Sequence, residues 1–198
     1  KQSALRGIIV TIDKCELTEE KINEILECLI MNSISPETSI RNPAMFGTNL
    51  LLEKNLLSNA NVEKIMEFYI KEARSIWPDT IKNSLYALGE LIKRDKLAAE
   101  KASELTEVFI NGAKESDSNV RKYAVIGFIY LTENNMLASG KQEEVLNVLK
   151  EAINSVNNSS LRHKALVAIK KMMENDLNIA KRDSLIKQHG FKAPDYKE

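Results

Sequence analysis

Histidine, cysteine and paired carboxylates are the side chains of this chain that could do chemistry, and none of them forms a recognisable site. His163 and His189 have no cysteine or carboxylate at the spacing of a metal site, and His163 lies between two cations. Cys15 and Cys28 are too few for a disulfide framework and predict buried free thiols. Glu143-Glu144 opens a predicted helix, where the helix dipole favours carboxylates. The sequence therefore predicts no catalytic residue, no metal site and no cofactor.

The charge balance limits the possible partners. Lys and Arg number 28 and Asp and Glu number 28, so the chain has no bulk charge that would attract nucleic acid or an anionic membrane. Residues 161–198 are more basic than the rest, which keeps nucleic acid open as a partner. No apolar run reaches the ~18 residues of a membrane span, and free thiols predict a reducing compartment. We therefore expect a cytoplasmic protein that does not contact a membrane.

The apolar residues follow a long repeat. An apolar residue followed by a cation occurs four times, at spacings of 41, 39 and 41 residues, and another apolar residue follows four positions later each time. Further apolar or small residues continue this stripe along one face of a predicted helix. A period of about 40 residues without a strand signal indicates a stack of helical hairpins. The four pairs are Ile40-Arg41, Ile81-Lys82, Val120-Arg121 and Leu161-Arg162.

Each repeat is predicted to contain two helices, A and B, and the repeated pairs open the B helices. A leading helix over Ser3–Lys14 is an additional B helix. We expect residues 1–190 to form a single repeat array and residues 191–198 to form a polar tail. Because the chain begins at Lys1 without Met and inside a helix, we expect a fragment of a longer protein. The A helices are predicted over Glu19–Ser33, Val62–Ile76, Glu100–Glu115 and Lys141–Val156, with a shorter A-like helix over Ile179–Gln188.

One of these units resembles a known family. The run Asp117–Leu131, in which Val120-Arg121 follows a turn Asp, is similar to the second helix of a HEAT repeat. The resemblance implies that this Asp and Arg bond from one unit to the next. The preceding unit follows the pattern with Asp79 and Lys82, whereas the last unit has no turn acid. The resemblance covers about residues 1–178 and implies an all-α fold, a right-handed α-solenoid of about four HEAT-like hairpins plus a leading helix.

A second stripe on the B helices is the candidate binding surface. It lies three, six and ten positions after the first residue of each repeated pair. In HEAT proteins, which this chain resembles, the B helices line the concave face, and exposed aromatic residues there would anchor a partner. The alternative is that these side chains pack against the neighbouring B helix. Together with two cations that would select for acids, the candidate protein-binding residues are Phe46, Leu50, Leu91, Arg121, Lys122, Tyr123, Ile126 and Tyr130.

These observations favour a non-catalytic scaffold or adaptor that presents a concave helical surface to a protein partner. The alternative is a nucleic-acid-binding module resembling the HEAT-like DNA glycosylases, which would need a basic groove. The cations of the repeated pairs also allow two interpretations, because they can pair with acids in the turns or bind an acidic ligand. Trp77, at a corner between helices, is expected to fill the turn rather than contact a ligand. The sequence leaves the oligomeric state open.

Overall fold

A computed structural model describes residues 2–94, 99–138, 140–154 and 158–174. Within these residues the chain is all-α, with nine α-helices, one short 3-10 helix and no strand. The predicted helix Ile179–Gln188, the tail 191–198 and His189 lie outside the described residues. The helices are α1 (Gln2–Lys14), α2 (Glu19–Ser33), α3 (Thr38–Glu53), α4 (Asn59–Glu72), α5 (Pro78–Lys93), α6 (Ala102–Ala113), α7 (Ser118–Glu133), α8 (Gln142–Ile153) and α9 (Ser159–Glu174), with the 3-10 helix Ala99–Lys101 before α6.

The helices form two layers. The B helices α1, α3, α5, α7 and α9 pack one against the next, and the A helices α2, α4, α6 and α8 each pack against the B helix that follows. Each unit therefore buries its apolar faces against its own hairpin and its neighbours, as in other repeat proteins. The arrangement is a solenoid of four helical hairpins preceded by a leading B helix, which confirms the predicted all-α fold.

The two layers are packed at different spacings. Consecutive B helices bring several pairs of Cα atoms within 8 Å of each other, whereas among the described A helices only α6 and α8 approach that closely over several residues. Long polar side chains join the A layer instead, including Lys64 to Glu27 at 3.0 Å and Lys114 to Glu144 at 2.9 Å. The B helices therefore form the more closely packed of the two layers.

The same pattern of buried positions recurs every 40 residues in α3, α5 and α7. In α5 this places the core residues one position away from where the sequence predicted them. The buried positions of the three helices coincide only when their sequences are shifted by 40 residues. The residue of α5 equivalent to Ile40 and Val120 is therefore Thr80, and the predicted equivalence of Ile81 is wrong by one residue. The cause is the helix start, since Pro78 begins α5 40 residues after the first residue of α3.

The core lies between the two layers. Phe109 of α6 and Phe128 of α7 are fully buried and meet edge to face, with their ring centroids 6.2 Å apart. Tyr69 of α4 is also fully buried, and its hydroxyl donates a hydrogen bond to Oδ1 of Asn49 in α3. One fully buried side chain occupies the same place in every A helix, at intervals of 40 residues. These side chains are Leu29, Tyr69, Phe109 and Leu149.

Candidate protein-binding surface

The side chains on one flank of the B helices form a row, which we call the B-face strip. In the observed register it contains the residues three, six and ten positions after the first core residue of each B helix. These spacings place the side chains beside the buried stripe. The strip consists of Pro43, Phe46 and Leu50 in α3, Asn83, Tyr86 and Glu90 in α5, Tyr123, Ile126 and Tyr130 in α7, and Lys164, Val167 and Lys171 in α9.

The amino-terminal end of the strip leaves large apolar side chains in contact with water. Phe46 is 57% exposed. Leu50 of α3 and Ile126 of α7 are half-buried, so part of each side chain is also accessible. Such side chains in a row across adjacent helices differ from the scattered apolar residues that any protein surface carries.

The expectation for Leu91 is wrong, because this side chain is fully buried in the core. The register of α5 explains the error. With Thr80 as the reference residue, Leu91 belongs to the core stripe, and Tyr86 and Glu90 take the strip positions. Tyr86 is thus a strip residue that the sequence analysis missed. The signal that could have found it is Pro78, which marks the first residue of the helix.

Tyr86 connects three B helices. Its ring meets the ring of Tyr123 in α7 edge to face, with the centroids 5.7 Å apart. Its hydroxyl donates a hydrogen bond of 2.7 Å to Oε1 of Glu53 in α3. Burial, followed by the neighbouring Glu53 carboxylate, raises the pKa of the Tyr86 phenol well above its usual range, so the hydroxyl remains a donor. The strip is therefore continuous from α3 to α7.

Tyr130 lies between α5 and α7. A Cβ added to Gly89 of α5 would lie 3.4 Å from the Tyr130 ring, and Nζ of Lys93 lies 5.8 Å from the ring centroid. Desolvation raises the pKa of the Tyr130 phenol. Tyr130 and Tyr123 are both half-buried, so each packs against a neighbouring B helix while part of its ring stays accessible. The role of these rings as anchors for a partner stays a prediction.

The carboxylates in the central part of the strip are paired with cations. Glu90 of α5 lies 3.6 Å from Nζ of Lys93 and 3.5 Å from Nη2 of Arg94. At the carboxyl end of α7, Glu133 lies 3.0 Å from Nζ of Lys171 in α9. These pairs leave the middle of the strip with little net charge.

Two lysines near the carboxyl-terminal end of the strip, Lys122 beside Tyr123 and Lys164 within the strip, have no such partner. Lys122 of α7 and Lys164 of α9 are half-buried, and neither forms an ion pair or a side-chain hydrogen bond with any residue that the structure describes. In α9, Lys164 and Lys171 hold the places that Tyr123 and Tyr130 hold in α7. The strip therefore changes along its length from apolar and aromatic to cationic.

Arg121, a predicted ligand contact, is engaged within its own hairpin. Its Nη1 atom donates hydrogen bonds to the carbonyl oxygens of Glu115 at 2.8 Å and Ser116 at 2.7 Å. Arg41 does the same in the first hairpin, at 2.8 and 3.1 Å. These carbonyls belong to the turn between the A helix and the B helix, and the arginines satisfy them. The structural interpretation of these cations is supported, but their partners are backbone carbonyls rather than the predicted turn acids.

The second hairpin differs at this corner. Lys82 pairs with Asp79 at 2.7 Å, and the Trp77 ring lies 4.6 Å from the guanidinium of Arg41. Trp77 remains 40% exposed, beside Ile76 at 85%. These apolar side chains lie at the turns between A and B helices, and they are separate from the B-face strip.

The side chains that could do chemistry remain apart from one another. Cys15 is exposed and Cys28 is half-buried, so the prediction of buried thiols is wrong for Cys15, which follows the end of α1 in a turn. His163 is exposed. In the part of the chain that the structure describes, no three metal-ligating side chains come together, and no helix is long and apolar enough to cross a bilayer.

No protein-family model and no curated protein sequence matches this chain. Solved structures of designed proteins share its fold. An engineered protein aligns with a TM-score of 0.58 and 16% identity, over 96% of this chain and 78% of that chain. A designed armadillo repeat protein in complex with the peptide (KR)4 gives a TM-score of 0.59 and 15% identity, over 96% and 81%. Computationally designed armadillo repeat proteins for modular peptide recognition give 0.59 and 17%, over 94% and 84%. At these identities the likeness shows the fold, an armadillo- or HEAT-like helical repeat, as predicted.

Proposed function

We propose that this protein is a non-catalytic scaffold that binds a segment of a partner protein along the B-face strip. The observation that carries the proposal is the row of accessible apolar and aromatic side chains across the B helices α3, α5 and α7, with Phe46 more than half exposed. Exposed rows of this kind mark interaction sites. Tyrosine rings that are held in place lose little entropy on binding, which suits Tyr86 and Tyr123 as anchors.

The spacing of the strip suits an extended segment. Neighbouring packed helices lie about 8–10 Å apart. An extended chain advances ~3.3 Å per residue, so it passes from one B helix to the next in about three residues. Each hairpin would then contact the bound segment at one position. Peptide recognition by designed proteins that share this fold is consistent with such a mode.

Nucleic acid is the less favoured partner. A phosphate backbone needs a row of unpaired cations, and near the strip Lys122 and Lys164 are the lysines without an ion pair among the described residues. In the central part Lys93 and Lys171 are already paired with Glu90 and Glu133, and over α3 the carboxylate of Glu53 would repel a phosphate. A salt titration with short duplex DNA tests this alternative, because each phosphate contact steepens the salt dependence of binding.

Site-specific photo-crosslinking tests the proposed function. A photoreactive phenylalanine analogue is placed at Phe46 on the strip, and at Ile76 as a control that is even more exposed but lies elsewhere. In cells that express the protein, we expect a protease-sensitive adduct from position 46 that is absent from position 76. Equal labelling at the two positions contradicts the proposal. An adduct from position 46 that nuclease removes favours nucleic acid instead.

A further inference from the structure

We infer that the segment bound on the B-face strip has a fixed polarity, with apolar side chains over α3 and carboxylates over α7 and α9. This inference rests on the proposed function and adds the chemistry of the partner segment. It follows from the way charge and apolar surface are distributed along the strip.

The α3 end of the strip offers apolar contacts and one acid. Phe46 and Leu50 provide the accessible hydrocarbon. Glu53, one turn beyond Leu50 on α3, accepts a hydrogen bond from Tyr86 and forms no ion pair with any described residue. A carboxylate of the partner would meet this charge at close range, which disfavours acids over α3. Apolar side chains of the partner are favoured there.

The carboxyl-terminal end has the opposite character. Lys122 and Lys164 are half-buried and carry charges that no described side chain neutralises. Partial burial weakens solvent screening, so an incoming carboxylate gains more there than at a fully exposed lysine. The central pairs Glu90 with Lys93 and Glu133 with Lys171 contribute little to this asymmetry, because each is already neutralised.

The result is a surface that distinguishes the two directions of a bound chain. A segment with acids at one end and apolar residues at the other matches the strip in one orientation and places its acids beside Glu53 in the other. Charge complementarity of this type contributes to specificity and orientation more than to total affinity. The expected partner is therefore an extended peptide with an apolar block followed or preceded by Asp or Glu.

Selection from random displayed peptides tests the inference on the full chain. With the wild-type protein we expect enriched peptides to combine an apolar block with Asp or Glu on one side. The double variant Lys122→Glu, Lys164→Glu should change the acid-to-base ratio at that side by about tenfold in favour of Lys and Arg. The exposed Lys71 of the A layer carries the same charge change as a control, and Lys71→Glu should leave the enrichment unaltered.

Each outcome of this selection decides one question. Peptides without an acid preference, or a preference that the double variant leaves intact, overturn the inference. Phe46→Ser should reduce the recovery of all peptides. If the wild type recovers no more peptide than Phe46→Ser, the proposed function fails as well. If the dependence on Phe46 persists while charge reversal has no effect, only the inference fails. The Gln double variant, with folding checked by circular dichroism, replaces the Glu variant if the latter does not fold.

Discussion

Gly127 of α7 lies directly under the aromatic ring of Phe109 in α6. A Cβ added to Gly127 would lie 2.5 Å from Cζ of Phe109 and closer still to two other ring atoms. The ring is fully buried, so it has no free space into which to move. The glycine therefore allows the A helix of this hairpin to approach its B helix, at a position where its helix propensity alone would be unfavourable.

Gly127→Ala should destabilise the protein by about 2–3 kcal/mol or more, because the methyl group overpacks a rigid site. Gly7→Ala in α1 is the matched control, since nothing lies within 4 Å of an added Cβ there. That substitution should stabilise the protein by up to ~1 kcal/mol through helix propensity. Chemical denaturation of both variants measures the difference. Similar effects at the two sites would show that the Phe109 contact does not determine the need for glycine.

Substituting one phenylalanine of the core and one of the strip compares the two regions. Phe128 is fully buried in an interior unit, whereas Phe46 is 57% exposed on the strip. Phe128→Ala should cost about 3–5 kcal/mol, because it leaves a cavity between packed helices. Phe46→Ala should cost less than about 1 kcal/mol, as for most surface substitutions. Urea titrations test both values, and a large loss for Phe46→Ala would mean that the strip is part of the core.

The stacking of the hairpins could be predicted from the sequence, because the core stripe depends only on which residues are apolar. Ile40, Val120 and Leu161 all occupy the predicted core positions. The register of α5 was wrong because two adjacent residues, Thr80 and Ile81, are both buried, and the apolar one is the more obvious candidate. Burial of Thr80 in the core depends on where Pro78 starts the helix, which a pattern of apolar residues does not encode.

The binding surface was less predictable than the fold. Phe46 and Tyr123 could be placed on the strip by spacing alone. The half-burial of Tyr130 depends on how closely α5 and α7 approach, which the spacing of apolar residues along one helix does not determine. The roles of the arginines could not be predicted, because Arg121 binds backbone carbonyls of a turn, which any residue type supplies.

Arg94 joins adjacent units at the carboxyl ends of their B helices. Its Nη1 atom donates hydrogen bonds to the carbonyl oxygens of Leu52 at 3.2 Å and Glu53 at 3.1 Å, at the end of α3. A cation there also meets the negative end of the helix dipole. Arg94→Met keeps the hydrocarbon and removes both bonds, so it should cost about 1–2 kcal/mol.

The neighbouring Lys93, which is more exposed, provides the control for Arg94. Lys93→Met should change the free energy of unfolding by less than about 0.5 kcal/mol. Hydrogen exchange should also show faster opening of the last turn of α3 in Arg94→Met alone. Unchanged exchange in that turn would mean that the bonds between units do not hold the helix end.

Alkaline pH should destabilise the protein through Tyr69. Burial of this side chain raises the pKa of its phenol well above the usual value of about 10. The folded state then holds the proton at pH values where the unfolded chain releases it. This stabilisation is complete below pH ~10 and is lost as the pH rises toward the folded pKa, by up to ~1.4 kcal/mol per pH unit.

Tyr69→Phe lowers stability at neutral pH, because Asn49 loses its hydrogen-bond donor. Above pH ~10, however, the unfolding free energy of this variant should fall less steeply than that of the wild type. The lysines titrate in both proteins, so the difference in slope isolates Tyr69. Denaturation curves over this pH range, with tyrosinate absorbance as a second signal, measure that difference, and parallel slopes would show that the phenol does not stay protonated in the folded protein.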